Sequence, residues 1–267
     1  MLKQRVITAI ILLTLFGAAL FGLPAIGWAA LTWGIILIGA REWAVLAQLS
    51  GWRGTWYAVL TAAMMAGLLL PSAEALALPL YLAAALGWLI GVPLWLARGW
   101  QIRQQAVMAL VGWLVLLPTG LALVALRATS PWLLLGVMAL VWIADSAAYF
   151  AGRRFGKHKL APSISPGKTW EGAAGALLGV LLYVGALTAS HNGTLLGFGW
   201  VSGLLLAAFW VALSIIGDLF ESAIKRQAGV KDSGTLLPGH GGLLDRIDAL
   251  TSTLPLAALV LLLQRLP

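Results

Sequence analysis

Apolar runs follow one another along almost the whole chain, each about as long as the 20 helical residues that cross a hydrocarbon core, with clusters of Gly, Pro and charge between them. Read from these interruptions, the pattern predicts helices near 6–22, 25–40, 56–70, 77–96, 106–126, 131–150, 172–190, 195–216 and 249–264. The runs are blocks rather than amphipathic stripes, and a soluble fold has no use for such blocks. The predicted fold is all-α, a polytopic transmembrane helix bundle of about nine spans. An odd count puts the two termini on opposite sides. Residues 1–130 are expected to form an N-terminal set of transmembrane helices, spans one to five, and 131–267 a C-terminal region of spans six to nine with their loops.

Composition agrees with this pattern: 61% of the 267 positions are hydrophobic and 10% charged, against roughly 25% charged in soluble domains. The formal net charge of +8 raises nucleic-acid binding, but the bases sit between apolar runs instead of forming one stripe, so no nucleic-acid partner is expected. Their placement sets topology. With the N-terminus cytoplasmic and the C-terminus periplasmic, fifteen of the 17 Lys and Arg residues face inward, and only Arg127 and Arg265 face outward. Lys3 and Arg5 precede the first apolar run as in a signal peptide, yet no A-x-A site ends that run and more spans follow, which favours a retained helix. Gly175 with Gly179 and Gly199 with Gly203 have the spacing of close helix packing. Trp28, Trp52, Trp56, Trp100, Trp132 and Trp170 fall near predicted span ends, where interfacial anchors are expected. Cysteine is absent, which removes disulfides and thiolate metal sites, and no internal repeat suggests a transporter of inverted halves.

Seven of the nine carboxylates lie between Asp145 and Asp248, leaving Glu42 and Glu74 outside the cluster. An ionised group at mid-bilayer costs about 2.5–3.5 kcal/mol, so acids at span ends are expected to face a cavity. Three stretches contribute. DSAAYFAGRRFGK begins at Asp145, and SPGKTWEG, from Ser165 to Gly172, sets Lys168 and Thr169 just before a helix start, a place that suits phosphate. The GKT triplet is no P-loop, because Pro162 stands where that motif needs glycine. In the third stretch Asp218, Glu221, Ser222 and Lys225 share one helical face. PGHGG at 238–242 then allows close backbone approach to a ligand, and Asp245 and Asp248 lie one turn apart, as carboxylates that hold magnesium would. His240 has neither a nearby histidine nor a cysteine to make a zinc set, so a phosphate, nucleobase or acid–base role fits it better.

Ser222, Lys225, Arg226, Lys231, Asp232, Pro238, His240, Gly241, Gly242, Asp245, Arg246 and Asp248 together resemble the signature of the CDP-diacylglycerol synthases, or phosphatidate cytidylyltransferases, of the bacterial type. The Asp145 and SPGKTWEG stretches also look like that family, so the resemblance is strong over spans six to nine and rests on length and hydropathy before them. It implies transfer of the cytidylyl group of CTP to phosphatidic acid, giving CDP-diacylglycerol and pyrophosphate. It also implies Mg2+, with a monovalent cation such as K+ as a second candidate ion. The expected catalytic residues are Lys168, Lys225, Arg226, Asp245 and Arg246. Ser165, Thr169, Ser222, Lys231, His240, Gly241 and Gly242 are the candidate substrate contacts. Asp218, Asp245 and Asp248 are the candidate metal ligands, with Asp145 as a further one. The expected setting is the cytoplasmic face of a bacterial inner membrane, among membrane lipids, with a homodimer left open. Two alternatives remain: a cytidylyltransferase for another lipid phosphate, or a lipid or ion transporter with a cytoplasmic-side metal site. A CDP-alcohol phosphotransferase is set aside, since its DG-x2-AR motif is absent.

Overall fold

The computed structural model describes residues 2–190, 194–195, 198–236 and 241–265. Its helices are α1 (Leu2–Gly22), α2 (Ala25–Leu46), α3 (Trp52–Leu68), α4 (Pro71–Arg98), α5 (Gln105–Thr129), α6 (Pro131–Phe155), α7 (Trp170–Ser190), α8 (Trp200–Gln227) and α9 (Leu244–Leu263). Among the described residues, seven are long and apolar enough to cross a membrane; α3 has 17 residues, and Ile10–Gly22 is a shorter apolar stretch of α1. The chain is an all-α membrane bundle. Two short antiparallel hairpins were not expected: β1 (Lys159–Ala161) with β2 (Ser165–Thr169), and β3 (Thr194–Leu195) with β4 (Phe198–Gly199).

The loops gather at two ends. At one, Gln105 Nε2 donates to the Gln48 carbonyl at 2.6 Å, and Gln227 exchanges two hydrogen bonds with the Ile102 backbone at 2.9 and 2.7 Å. This end carries most of the charge. At the other, the Arg127 guanidinium donates to the Leu20 and Leu23 carbonyls at the close of α1 and stacks 5.4 Å over Trp28. A cation at a helix C-terminus satisfies carbonyls that have no partner within the helix. Trp28 is thereby core rather than anchor: it is 2% exposed, with its Nε1 donating to the Leu123 carbonyl at 3.0 Å. Trp52, Trp56, Trp100, Trp132 and Trp170 are exposed, as anchors are.

Close packing falls where small residues permit it. A Cβ on Gly179 would stand 2.8 Å from the Ala147 Cβ, and one on Gly175 would press into Ala151, so α6 and α7 meet nearly backbone to backbone. The second predicted pair makes no such seam, because Gly199 ends a strand and Gly203 meets its neighbours at ordinary distance. In the core, Phe220 of α8 receives the edges of Trp88 and Trp95 at 5.4 Å and lies 6.5 Å from Trp43, contacts each worth about 0.5–1.5 kcal/mol. Trp88 reaches it from a π-helical turn, Gly87–Gly91, inside α4. Pro255 in α9 cannot donate to the Thr251 carbonyl one turn back, and Thr119 Oγ1 of α5, which donates to the Val115 carbonyl at 2.7 Å, makes a longer second contact there at 3.4 Å.

Candidate active site

The site lies at the charged end, where α2, α6 and α8 finish and α7 and α9 begin. A cavity of about 470 Å³ opens there between α6, the β1–β2 hairpin, α7 and α8. Asp145, Ser165, Lys168 and Asp218 make one part of its wall, and small apolar residues such as Ala144, Ala173 and Ala176 another. Lys168 forms an ion pair with Asp218 Oδ2, and Ser222 Oγ donates to Asp218 Oδ1 at 3.3 Å. Asp145 has Asp218, Lys168 and Arg246 as its interacting charges. The hairpin is fastened at its base. Thr169 is buried and its Oγ1 accepts the Gly172 N–H at 3.1 Å, capping α7. Glu171 accepts the Lys157 and His158 N–H groups and pairs with His158 Nδ1 at 2.6 Å.

Deeper, Lys225 lies between Glu221 Oε2 at 3.2 Å and Asp245 Oδ1 at 2.6 Å, all three largely buried. Asp245 Oδ2 accepts the N–H groups of Ser233 and Gly242 at 2.9 and 2.8 Å and contacts Ser233 Oγ at 3.1 Å. Glu42, at the far end of α2, faces the same turn. Its Oε1 accepts the Leu243 N–H, and its Oε2 accepts the Leu244 N–H and the Ser233 hydroxyl, each at 2.8 Å. Gly241 takes φ +80°, which favours glycine, and a Cβ on it would lie 2.6 Å from Asp245 Oδ2. Asp248 accepts the Ala249 N–H at 2.7 Å and has Asp218 and Glu221 as charged neighbours. Glu221 is 5% exposed, with Lys225 on its Oε2 and the Asp248 carboxyl beside it.

The profile of the cytidylyltransferase family matches residues 3–264. The chain belongs to this family. It is 42% identical over 270 residues to a phosphatidate cytidylyltransferase of Pseudomonas aeruginosa, covering 98% of this chain and 97% of that protein. The phosphatidate cytidylyltransferase of Haemophilus influenzae is 54% identical over 124 residues, 46% of this chain and 43% of its own. That of Thermotoga maritima is 43% identical over 127 residues, 46% of this chain and 47% of its own.

Within this cytidylyltransferase-family chain the predicted residues fall into groups. Asp145, Ser165, Lys168, Thr169 and Asp218 line one cavity, with Arg246 exposed near Asp145. Lys225 and Asp245 form the buried pair below it, and Asp248 with Glu221 lies between the two groups. Asp245 is therefore engaged by Lys225 and backbone N–H groups, apart from Asp218. Gly241 and Gly242 make room for the protein's own carboxylates, since Cβ atoms there would run into Asp245 and Glu42. Arg226 and Lys231 are exposed, and Arg226 donates to the Val230 carbonyl at 3.4 Å. His240 lies outside the described residues.

Sequence reasoning missed Glu42 and Ser233 and gave Glu221 no role at the site. Placing Glu42 outside the cluster is corrected here: α2 runs to Leu46 and carries that carboxylate, 8% exposed, onto the start of α9. The available signal was an acid followed directly by an apolar run, GAREWAVLA, which must have partners if the helix continues.

Proposed function

We propose that this protein transfers the cytidylyl group of CTP to phosphatidic acid, releasing CDP-diacylglycerol and pyrophosphate, at the cytoplasmic face of a bacterial inner membrane. The observation that carries this reading is the match to the cytidylyltransferase family over residues 3–264, and a cavity with a charged wall and an apolar one at the charged end of a membrane bundle suits an amphiphilic phosphate. A phosphatidate oxygen attacks the α-phosphorus of CTP. As that P–O bond forms, the bond to the β-phosphate oxygen breaks and pyrophosphate leaves. The attacking group is already an anion, so holding two anions together matters more than removing a proton. Lys168, oriented by Asp218, offers its ammonium to a phosphate from the cavity wall, and Arg246 adds charge at the rim. Lys225 is held between two carboxylates and shapes the site instead.

Asp145, Asp218, Glu221 and Asp248 gather at this end of the bundle, and a triphosphate brought beside them would add negative charge that a cation would offset. Among the described residues no three acids or histidines converge as a metal cage, but magnesium typically uses one or two carboxylates plus substrate phosphates. Asp218 and Asp248, with Glu221 beside them, fit that need. Held there, the ion would supply positive charge that offsets the charge on the transferring group. The test is radiolabelled CTP with phosphatidic acid and purified protein in detergent. Lipid-soluble label and equimolar pyrophosphate are expected, and label that stays aqueous in the presence of folded protein would overturn the assignment.

A further inference from the structure

The turn leading into α9 is held by two carboxylates from opposite ends of the chain. Asp245 is its own helix's acid, but Glu42 comes from α2, about 200 residues earlier, and meets Ser233, Leu243 and Leu244 at 2.8 Å each. Ser233 Oγ stands between the two, 2.8 Å from Glu42 Oε2 and 3.1 Å from Asp245 Oδ2. Gly234 and Gly242 both make room for this contact, since a Cβ on Gly234 would lie 2.7 Å from Glu42 Oε1 and one on Gly242 2.5 Å from Oε2. A buried carboxylate that accepts two N–H groups at the first turn of a helix satisfies donors that have no partner within the helix and suits the positive end of its dipole. Here the helix is the one that carries Asp245, Arg246 and Asp248.

We propose that Glu42 is a positioning residue for cytidylyl transfer: by fixing Ser233 and the start of α9 it sets where Asp245 holds Lys225 and where Asp248 faces Asp218. This rests on the functional reading above. Glu42 touches neither the cavity wall nor the Lys168–Asp218 pair, so it acts through the turn. An amide at position 42 retains one acceptor but directs N–H groups toward backbone N–H donors, and the turn must shift to relieve the clash.

Full-length wild type, Glu42→Gln, Glu42→Asp, Ser233→Ala and the exposed control Glu74→Gln would be purified in detergent, checked for fold by size exclusion and thermal melting, and assayed with CTP and phosphatidic acid. In folded Glu42→Gln, kcat is expected to fall at least about tenfold, with KM for both substrates within about twofold, because orienting groups act on the geometry of the reactive ones. Glu42→Asp should recover part of that loss. Ser233→Ala should lower kcat as well, and the double variant should be no worse than the poorer single, since both act through one turn. A folded Glu42→Gln enzyme with wild-type kcat, or a loss fully accounted for by its unfolded fraction, would overturn the proposal. Should Glu42→Gln not fold, Ser233→Ala decides, and full activity in that folded variant overturns it equally. An inactive wild type overturns the functional reading and this one together, whereas an active wild type with an active Glu42→Gln overturns this one alone.

Discussion

Lys168 and Lys225 are both lysines paired with acids, yet their settings give them different work. Lys168 has one partner and a cavity in front of it, whereas Lys225 is closed between two carboxylates. Lys168→Ala should therefore lower kcat on the order of 100-fold with the fold intact, comparable to losing one preorganised donor at a charged transition state. Lys168→Arg should not restore it, because a planar fork does not replace a point charge; wild-type turnover by either variant would remove Lys168 from the chemistry. Asp218 and Asp245 can be separated in the same way. Asp218→Asn should raise the magnesium concentration needed for half-maximal activity, while Asp245→Asn should lower activity with little change in that midpoint. A magnesium titration of each reads the difference. Arg226→Ala should change turnover by no more than about twofold, as exposed substitutions usually do. Asp145, Lys168 and Asp218 were legible as a group because ionised acids at span ends are costly unless a cavity or a cation receives them. That Asp245 is taken up by Lys225 and the turn was not legible, since helical spacing says which residues share a face and not what opposes that face.

At the scale of elements, hydropathy located the helices well in their apolar parts and cut them short at the charged end. Span two was expected to stop near 40 and span eight near 216, but α2 continues to Leu46 and α8 to Gln227. The cause is physical: hydropathy reports the thickness of hydrocarbon a segment crosses, whereas these helices continue on ion pairs and hydrogen bonds such as Lys225–Glu221 and Ser222–Asp218. The hairpin of β1 and β2 was illegible for a related reason, since its five-residue strand SPGKT carries Pro and Gly, poor strand formers, and is held by the Thr169 cap and by Glu171. Thr169→Val, which removes that cap, should cost about 1 kcal/mol, seen as a lower melting temperature in detergent; an unchanged melt would show that the hydroxyl is dispensable. The α6–α7 seam is the opposite case, readable in advance from small residues four apart. Gly179→Leu should destabilise the bundle by about 1–3 kcal/mol through overpacking against Ala147, measurable as loss of monodisperse protein on gentle heating.

For the whole molecule, the asymmetry of basic residues gives a prediction about sidedness. A reporter fused after Pro267 should behave as periplasmic and one inserted near Lys159 as cytoplasmic, and signals from the same side would refute an odd number of spans. The grouping of the loops at two ends is in keeping with that alternation, and Arg127, an outward exception in the charge pattern, has its own employment at the end of α1. The contact between Glu42 and the first turn of α9 has one more consequence, for biogenesis. Chains are made from the N-terminus, and Glu42 is in place long before Leu243, Leu244, Asp245 and Asp248 leave the ribosome. A nascent chain that stalls or is cut before residue 243 lacks the two backbone N–H groups that Glu42 accepts and has no complete site. Such a chain should be inert toward CTP, so that the order of synthesis itself would keep unfinished copies from reacting.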